Sequence, residues 1–373
     1  MKIAILGTSN SVMPNGWVSA IKEFHEVDNY SIGASCAAVH LSSIKEYDIS
    51  NYELVIIDSS INDYGHYEQS KFTLDEINEI WISIFTELLI RNDNCLYINF
   101  PCERGINSDK RKLLSRRIIE TANNFEIRVI DLYRIFEDTR ESLCEKYFRD
   151  ENHLMPNLSR LIGFQILTLL KSYTIKNTPS KIKKIKVKSK FKLFKLYNSN
   201  NYRLKSSSII KQNVASVKRI KTGKNILGFL HWAEKDTKYN VYVDDKLRGE
   251  FKIPGGYLSF EYINHIIPQN YKKNIVIEFE EKIDLVSYVF KEDTNETISI
   301  NTKLLANIPN IFYEKLKLLT IGFASGRSLL KVHRNDFLNV LSQMSYQAEL
   351  SGENSLKEKI DEIKLEVSGY EKT

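Results

Sequence analysis

The sequence predicts an α/β domain built on a doubly wound parallel sheet, followed by an antiparallel β-sandwich and a helical C-terminal region. Three observations carry this. The first 173 residues alternate short runs rich in Ile and Val with helical patterns of period 3.6. From about 180 to 302 apolar runs recur at turn-punctuated intervals with no helix between them, and from Lys303 helical patterns return. At 373 residues the chain is too long for one ordinary core. The expected units are 1–175, 180–302 and 303–373.

Residues 3–6, 54–57, 95–100 and 127–132 are continuous apolar runs, as for strands buried on both faces, and a short second strand is expected ahead of Ser31. Residues 72–90 place Leu74, Ile77, Ile80, Trp81, Ile84, Phe85 and Leu88 on one stripe; residues 109–121 and 158–172 read as further helices. Beyond Pro179, Ile185, Val187, Phe191 and Leu193 alternate with Lys186, Lys188, Lys190 and Lys192, the period-2 signature of a strand with one apolar and one lysine face. Runs at 226–232, 239–243, 249–253, 258–263, 275–279 and 285–290 complete the sandwich, with Asp244-Asp245 as a turn. Ser355 and Glu358 form a capping-box pattern around Leu356, Ile360, Ile363 and Val367, an amphipathic helix expected to pack in cis or to recruit a partner.

A composition 42% hydrophobic and 27% charged, with seven prolines, excludes disordered, collagen-like and mucin-like chains. The opening MKIAILGTSNS turns polar too soon for a signal peptide, and the ten-residue run 161–170, interrupted by Gln165, is too short to span a bilayer. Cys36, Cys95, Cys102 and Cys144 show no CxxC or Cys/His spacing, which predicts reduced thiols, no metal site and a cytoplasmic protein. Between Lys176 and Lys224 stand fourteen Lys, two Arg and no acid. That segment carries +16, and because the whole chain is +6, the remainder carries −10. Local basicity of this kind suits a polyanion, an anionic membrane surface or an acidic face of a neighbouring domain.

Open α/β sheets place their sites at the carboxyl ends of the strands. There stand Gly7-Thr8-Ser9-Asn10-Ser11, Ser31-Ile32-Gly33-Ala34, Ser59-Ser60-Ile61-Asn62-Asp63 and, before the last helix of the α/β region, Asp150-Glu151-Asn152-His153. Over residues 1 to about 172 the chain resembles the SGNH/GDSL hydrolase family, whose four marks would here be Ser9, Gly33, Asn62 and His153, with Asp150 completing a DxxH pair. Two positions depart from the family pattern: Thr8 stands where it often has aspartate, and Ser60 where it often has glycine. The resemblance implies a serine hydrolase without a cofactor.

The residue types suit that chemistry. A serine hydroxyl attacks well only when a base takes its proton, and His153 is the candidate base. Asp150 is placed to hold the other ring nitrogen and to stabilise the imidazolium. Backbone N–H groups of Ser9 and Gly33 with the Asn62 amide are the candidate oxyanion hole, where one donor is typically worth about 3 kcal/mol of barrier.

Asn10, Asp63 and Arg104 are candidates to contact substrate, and Lys186, Lys188 and Lys190 to meet an anionic glycan. Ser35 lacks the second glycine of GxSxG and ranks below Ser9. His25, His40 and His66 lack ligand-spaced partners, Cys102 reads as a packed thiol, and Gly322–Gly326 is no phosphate loop. The lysine strand has little aromatic interleaving, so nucleic acid ranks below an anionic glycan. The expectation is an esterase acting on O-acetyl groups of a carbohydrate or other small ester. Two alternatives stay open: an O-acetyltransferase using the same triad on a polysaccharide, and a non-catalytic glycan-binding protein.

Overall fold

The computed structural model describes residues 1–103, 106, 108–136, 147–174, 182–187, 191–194, 202–206, 211–223, 225–256, 258–267, 274–291 and 297–303. In the C-terminal region it describes positions 308, 310, 312–314, 316–317, 342, 345–346, 349, 354, 357–358, 360–362 and 364. The expected capping serine, Ser355, and the helix positions Leu356, Ile363 and Val367 lie outside these residues, as do Gly322–Gly326 and Cys144.

The α/β part runs β1 (Lys2–Leu6), α1 (Ser9–Val12), α2 (Trp17–Lys22), β2 (Glu26–Asn29), α3 (His40–Glu46), β3 (Leu54–Ile57), α4 (Ser60–Glu68), α5 (Leu74–Arg91), β4 (Cys95–Asn99), α6 (Asp109–Asn124), β5 (Arg128–Asp131), α7 (Tyr133–Phe136), β6 (Phe148–Asp150), β7 (His153–Leu154) and α8 (Pro156–Thr174). Its five parallel strands lie in the order β2-β1-β3-β4-β5, the doubly wound order with a switch point beside β1. Right-handed crossovers then put α2 on one face, where it packs with α8, and α3, α5 and α6 on the other. The inner strands β1, β3 and β4 are buried almost throughout, as continuous apolar runs require.

Helix α5 shows how one element serves two interfaces. It is started by a capping box, Thr73 with Glu76, and the expected stripe from Ile77 to Leu88 is buried against the sheet layer. Ser83, Thr86, Glu87 and Leu89 are buried as well, because a β layer covers the helix from outside. Glu87 is tolerated there through Lys45 and Arg91, at 3.7 and 3.5 Å.

That outer layer comprises β8 (Ile182–Val187), β9 (Phe191–Phe194), β10 (Tyr202–Ser206), β11 (Lys211–Thr222), β12 (Asn225–Trp232), β13 (Thr237–Val243), β14 (Lys246–Ile253), β15 (Leu258–Tyr262), β16 (Ile275–Lys291) and β17 (Ile298–Lys303). All pairings among them are antiparallel. The runs at 275–279 and 285–290 are not two strands but one, β16. Glu280, Glu281 and Lys282 carry no turn residue and sit exposed, so the backbone continues. Its first part pairs with β11 and β13, its last part with β12 and β9. Strands β9 to β16 form one eight-stranded sheet, and one face of it builds its own core from Phe229, Tyr239, Val241, Ile277, Phe279 and Leu285. The alternate residues Leu227, Leu230, Val286 and Val289 join the core of the α/β part.

The expected lysine strand is likewise corrected. Its two halves are β8, paired with β17, and β9, paired with β16, so the period-2 run belongs to two sheets. The alternation holds locally: Lys184 and Lys186 are exposed, Val187 and Phe191 buried. Elsewhere the basic segment is used internally, for Arg203 and Lys205 both reach the buried Asp284 at 2.8 Å. Phe312, Leu316 and Ile360 of the C-terminal region are buried in the main core, and the Tyr313 hydroxyl accepts the Asp131 N–H at the β5 edge. No helix among the described residues is long and apolar enough to cross a membrane.

Candidate active site

Ser9 opens α1 directly after β1. The turn that delivers it is tight: a Cβ on Gly7 would lie 2.2 Å from the Ser11 hydroxyl oxygen, so only glycine fits. Thr8, at the helix N-cap, donates both its N–H (2.9 Å) and its hydroxyl (3.1 Å) to the buried Asp58 at the end of β3, and the Ser11 hydroxyl donates to the other carboxyl oxygen. The departure at Thr8 is thus absorbed by a carboxylate from the next strand. Burial pushes the Asp58 carboxyl up to about 7 against these three donors. Asp58 escaped the sequence reading, and the only signal for it was its place at a strand end.

The DxxH segment is a short hairpin of β6 and β7. His153 Nδ1 lies 2.6 Å from Asp150 Oδ1, and the same oxygen accepts the backbone N–H groups of Asn152 (3.0 Å) and His153 (3.1 Å). Burial acts to raise the Asp150 carboxyl, but the hydrogen bonds from Asn152 and His153 outweigh it and hold it below its ordinary value. An ionised Asp150 accepts the hydrogen bond of a protonated Nδ1, which leaves Nε2 as the ring's lone-pair nitrogen.

Three contacts stitch the Ser9 segment to the DxxH segment. Asn10 Nδ2 donates to the Asn152 carbonyl at 3.0 Å. The Trp17 N–H donates to Ser159 Oγ at 3.1 Å, and Gly163 of α8 is pressed against α2, where a Cβ would lie 2.5 Å from the Trp17 carbonyl oxygen. Cα atoms of α1 and β7 accordingly approach within 8 Å.

Gly33 lies against Ser9: a Cβ there would stand 3.8 Å from the Ser9 Cβ. Ala34 follows in the left-handed region, φ 54°, and the next residue's carbonyl, that of Ser35, accepts the Asn62 Nδ2–H at 2.9 Å. Asn62 is not in a loop but in the first turn of α4. Ser9, Gly33, Asn62 and His153 are all partly exposed, whereas their neighbours Thr8, Asn10, Ser35, Asp63 and Leu154 are buried. That alternation leaves the four candidate groups partly open to solvent and buries the residues beside them.

Two expected substrate contacts are buried side chains hydrogen-bonded within the chain. Asn10 is the stitch to Asn152. Asp63 accepts the Ala37 N–H at 2.8 Å and the Trp81 indole N–H at 2.9 Å, and burial pushes its carboxyl up to about 7. Both brace the site. Lys186 is exposed on β8; Arg104, Lys188 and Lys190 lie outside the described residues. Ser35 donates to the Ile32 carbonyl at 2.7 Å and is buried, and Cys102 is a buried thiol outside any disulfide. His40 is wholly buried, pairs with the Ser59 hydroxyl and is pushed down to about 3 by that burial, so it stays neutral.

The parallel order β2-β1-β3-β4-β5 and the placement of these groups at strand ends are the arrangement that the resemblance to the SGNH/GDSL hydrolases implies. No family model and no curated protein matches the chain. Among solved structures it is similar to the acetyl xylan esterase AlAXEase, at 17% identity and TM-score 0.40 over 46% of this chain and 100% of that one. It is also similar to esterase EstA from Pseudoalteromonas sp. (14%, TM-score 0.37, 47% and 99%) and to Axe2, an acetylxylan esterase from Geobacillus stearothermophilus (16%, TM-score 0.38, 44% and 92%).

Proposed function

We propose that the chain is a serine-dependent acyl-ester hydrolase in which Ser9, His153 and Asp150 form the triad. The observation that carries this is the 2.6 Å Asp150–His153 pair on a hairpin tied by Asn152 to the residue after Ser9. In this reading Ser9 Oγ attacks the ester carbonyl while its proton passes to His153 Nε2, and Asp150 stabilises the resulting imidazolium. The Ser9 and Gly33 N–H groups and the second N–H of the Asn62 amide hold the oxyanion. His153 returns the proton to the leaving alkoxide. Water, deprotonated by His153 in turn, attacks the acyl enzyme, releasing the acid and regenerating Ser9.

The close wall formed by Gly33 beside Ser9 favours a small acyl group, and exposed Lys184 and Lys186 favour an anionic carrier, so the substrate we propose is an O-acetylated carbohydrate. A sugar hydroxyl in place of water would make the same site an O-acetyltransferase. Buried thiols outside any disulfide at Cys36, Cys95 and Cys102 accord with a reducing, cytoplasmic setting. Intact-mass analysis after fluorophosphonate treatment tests the triad: one adduct is expected on the wild type, none on Ser9→Ala, and labelling slowed at least about 100-fold in His153→Ala. Absence of an adduct on the folded wild type, or its persistence in Ser9→Ala, would overturn the reading. Acetate release with and without a sugar acceptor separates hydrolysis from transfer.

A further inference from the structure

Arg111, the third residue of α6, is the largest charged side chain among the described residues to be wholly removed from solvent, at 0% exposure. Among the described residues no carboxylate lies within 4 Å of it, and its Nε–H has no partner. A buried cation in the first turn of a helix, facing the first turn of another, is electrostatically unfavourable unless other groups solvate it. Carbonyls and ring faces do so here. Nη1 donates to the Ser60 carbonyl at 2.7 Å; Nη2 donates to Ser60 Oγ and the Phe100 carbonyl, both at 3.0 Å, with Asn99 Oδ1 at 3.4 Å. The guanidinium also lies over the rings of Tyr64 (5.6 Å) and Tyr133 (5.9 Å). Ser60 donates its own hydroxyl hydrogen to Asn99 Oδ1 in a 2.9 Å hydrogen bond.

Ser60 begins α4, and Asn62 stands two residues on. Asp63, next to Asn62, is anchored independently by Ala37 and Trp81, and the positive charge of Arg111 acts on its carboxylate. The first turn of α4 is therefore held on both sides of Asn62, by a cation at Ser60 and by two N–H donors at Asp63. Where a glycine would have left that turn to the backbone alone, the Ser60 hydroxyl gives Arg111 a second point of grip.

We propose that Arg111 is a positioning residue: by clamping the Ser60 peptide and hydroxyl it sets the rotation of the first turn of α4, and thus holds the Asn62 amide where the oxyanion forms. This rests on the triad and oxyanion hole proposed above.

The test is a double-mutant cycle of Arg111→Met and Asn62→Ala, with p-nitrophenyl acetate as probe and kcat and KM read separately. Asn62→Ala is expected to lower kcat about 100-fold, as for loss of one oxyanion donor. Arg111→Met is expected to lower kcat roughly 10- to 100-fold with KM within about 3-fold, and to have less than about 3-fold further effect once Asn62 is alanine. Arg111→Lys should not restore the rate, since one ammonium does not reproduce a guanidinium's fork of donors. A merely structural arginine would give equal losses in both backgrounds, or a loss confined to KM, and either overturns the inference while the triad stands. If the wild type does not acylate on Ser9, or Asn62→Ala leaves kcat unchanged, both readings fall. Should Arg111→Met not fold, the same cycle with Ser60→Ala decides: a roughly 3- to 10-fold loss of kcat that vanishes with Asn62→Ala supports the clamp, and additivity refutes it.

Discussion

At the scale of single residues the candidate site is a set of partly exposed groups, each beside a buried neighbour. Gly33 is the clearest case for function without stability. A Cβ at Gly33 meets the Ser9 Cβ at an ordinary contact distance, 3.8 Å, so Gly33→Ala is expected to leave thermal unfolding unchanged. The methyl would stand beside the nucleophile, and kcat/KM for an acetyl ester should fall at least about 10-fold, near 1.4 kcal/mol of barrier. Asp58 makes the opposite prediction, on stability alone. An unfolded aspartate ionises near pH 4, whereas the folded Asp58 is pushed up to about 7 by burial. Between these values the native chain holds a proton that the unfolded chain has released, so the neutral carboxyl's contribution is lost as pH rises through that window. Relative to Asp58→Asn, which does not ionise, the wild type should lose about 2–3 kcal/mol between pH 5 and 8. Urea midpoints of the two proteins at both pH values measure this. The buried His40 and His66, pushed down to about 3 and 4, change in both proteins alike and cancel in the difference. A difference that stays flat with pH would refute it.

At the scale of elements, the proposed triad requires α2 and α8 to stay in close register. Gly163 permits that approach: a Cβ would lie 2.5 Å from the Trp17 carbonyl oxygen and 2.8 Å from its Cα, both backbone atoms that cannot swing aside. Gly163→Ala should therefore force the helices apart, destabilising the fold by about 1–3 kcal/mol. Because α1 precedes α2 and the DxxH hairpin precedes α8, fluorophosphonate labelling should slow in the fraction that remains folded. Labelling at the wild-type rate in a destabilised variant would show that the helix pair does not position the triad.

At the scale of the whole molecule, the α/β part and the β layer share one hydrophobic core, through Leu227, Leu230, Val286 and Val289 packed with the core of the α/β part. Polar contacts reinforce the seam: the Phe191 N–H donates to Ser83 Oγ at 3.3 Å, Ser287 to Ser42 at 3.0 Å, and Lys291 lies 3.2 Å from Glu79. Burying that face stabilises by roughly 25 cal/mol per Å² of apolar surface. A chain ended at 175 would expose the outer face of α5, including Leu89. It should aggregate or lose its near-ultraviolet circular dichroism, and the full chain should unfold in one transition by calorimetry. Two separated transitions, or a well-behaved 1–175 fragment, would show the seam to be weak.

Much of this was legible in the chain alone. Continuous Ile and Val runs determine strands buried on both faces, a 3.6-residue stripe determines α5, and the order of Ser9, Gly33, Asn62, Asp150 and His153 at strand ends is what suggests the triad and oxyanion hole proposed above. These features are local, written in periods of two or three and a half residues. Other features depended on contacts between distant positions. Two runs became the single strand β16 because β11, β12 and β13 pair along its length, and the lysine run split because its halves found different partners. Asn10 and Asp63 became braces, and Arg111, one basic residue in the Lys-Arg-Lys run of α6, became a buried clamp. Burial of a polar side chain is settled by what the rest of the chain brings to it, 51 residues away for Arg111 and Ser60. Only the tertiary fold supplies those partners.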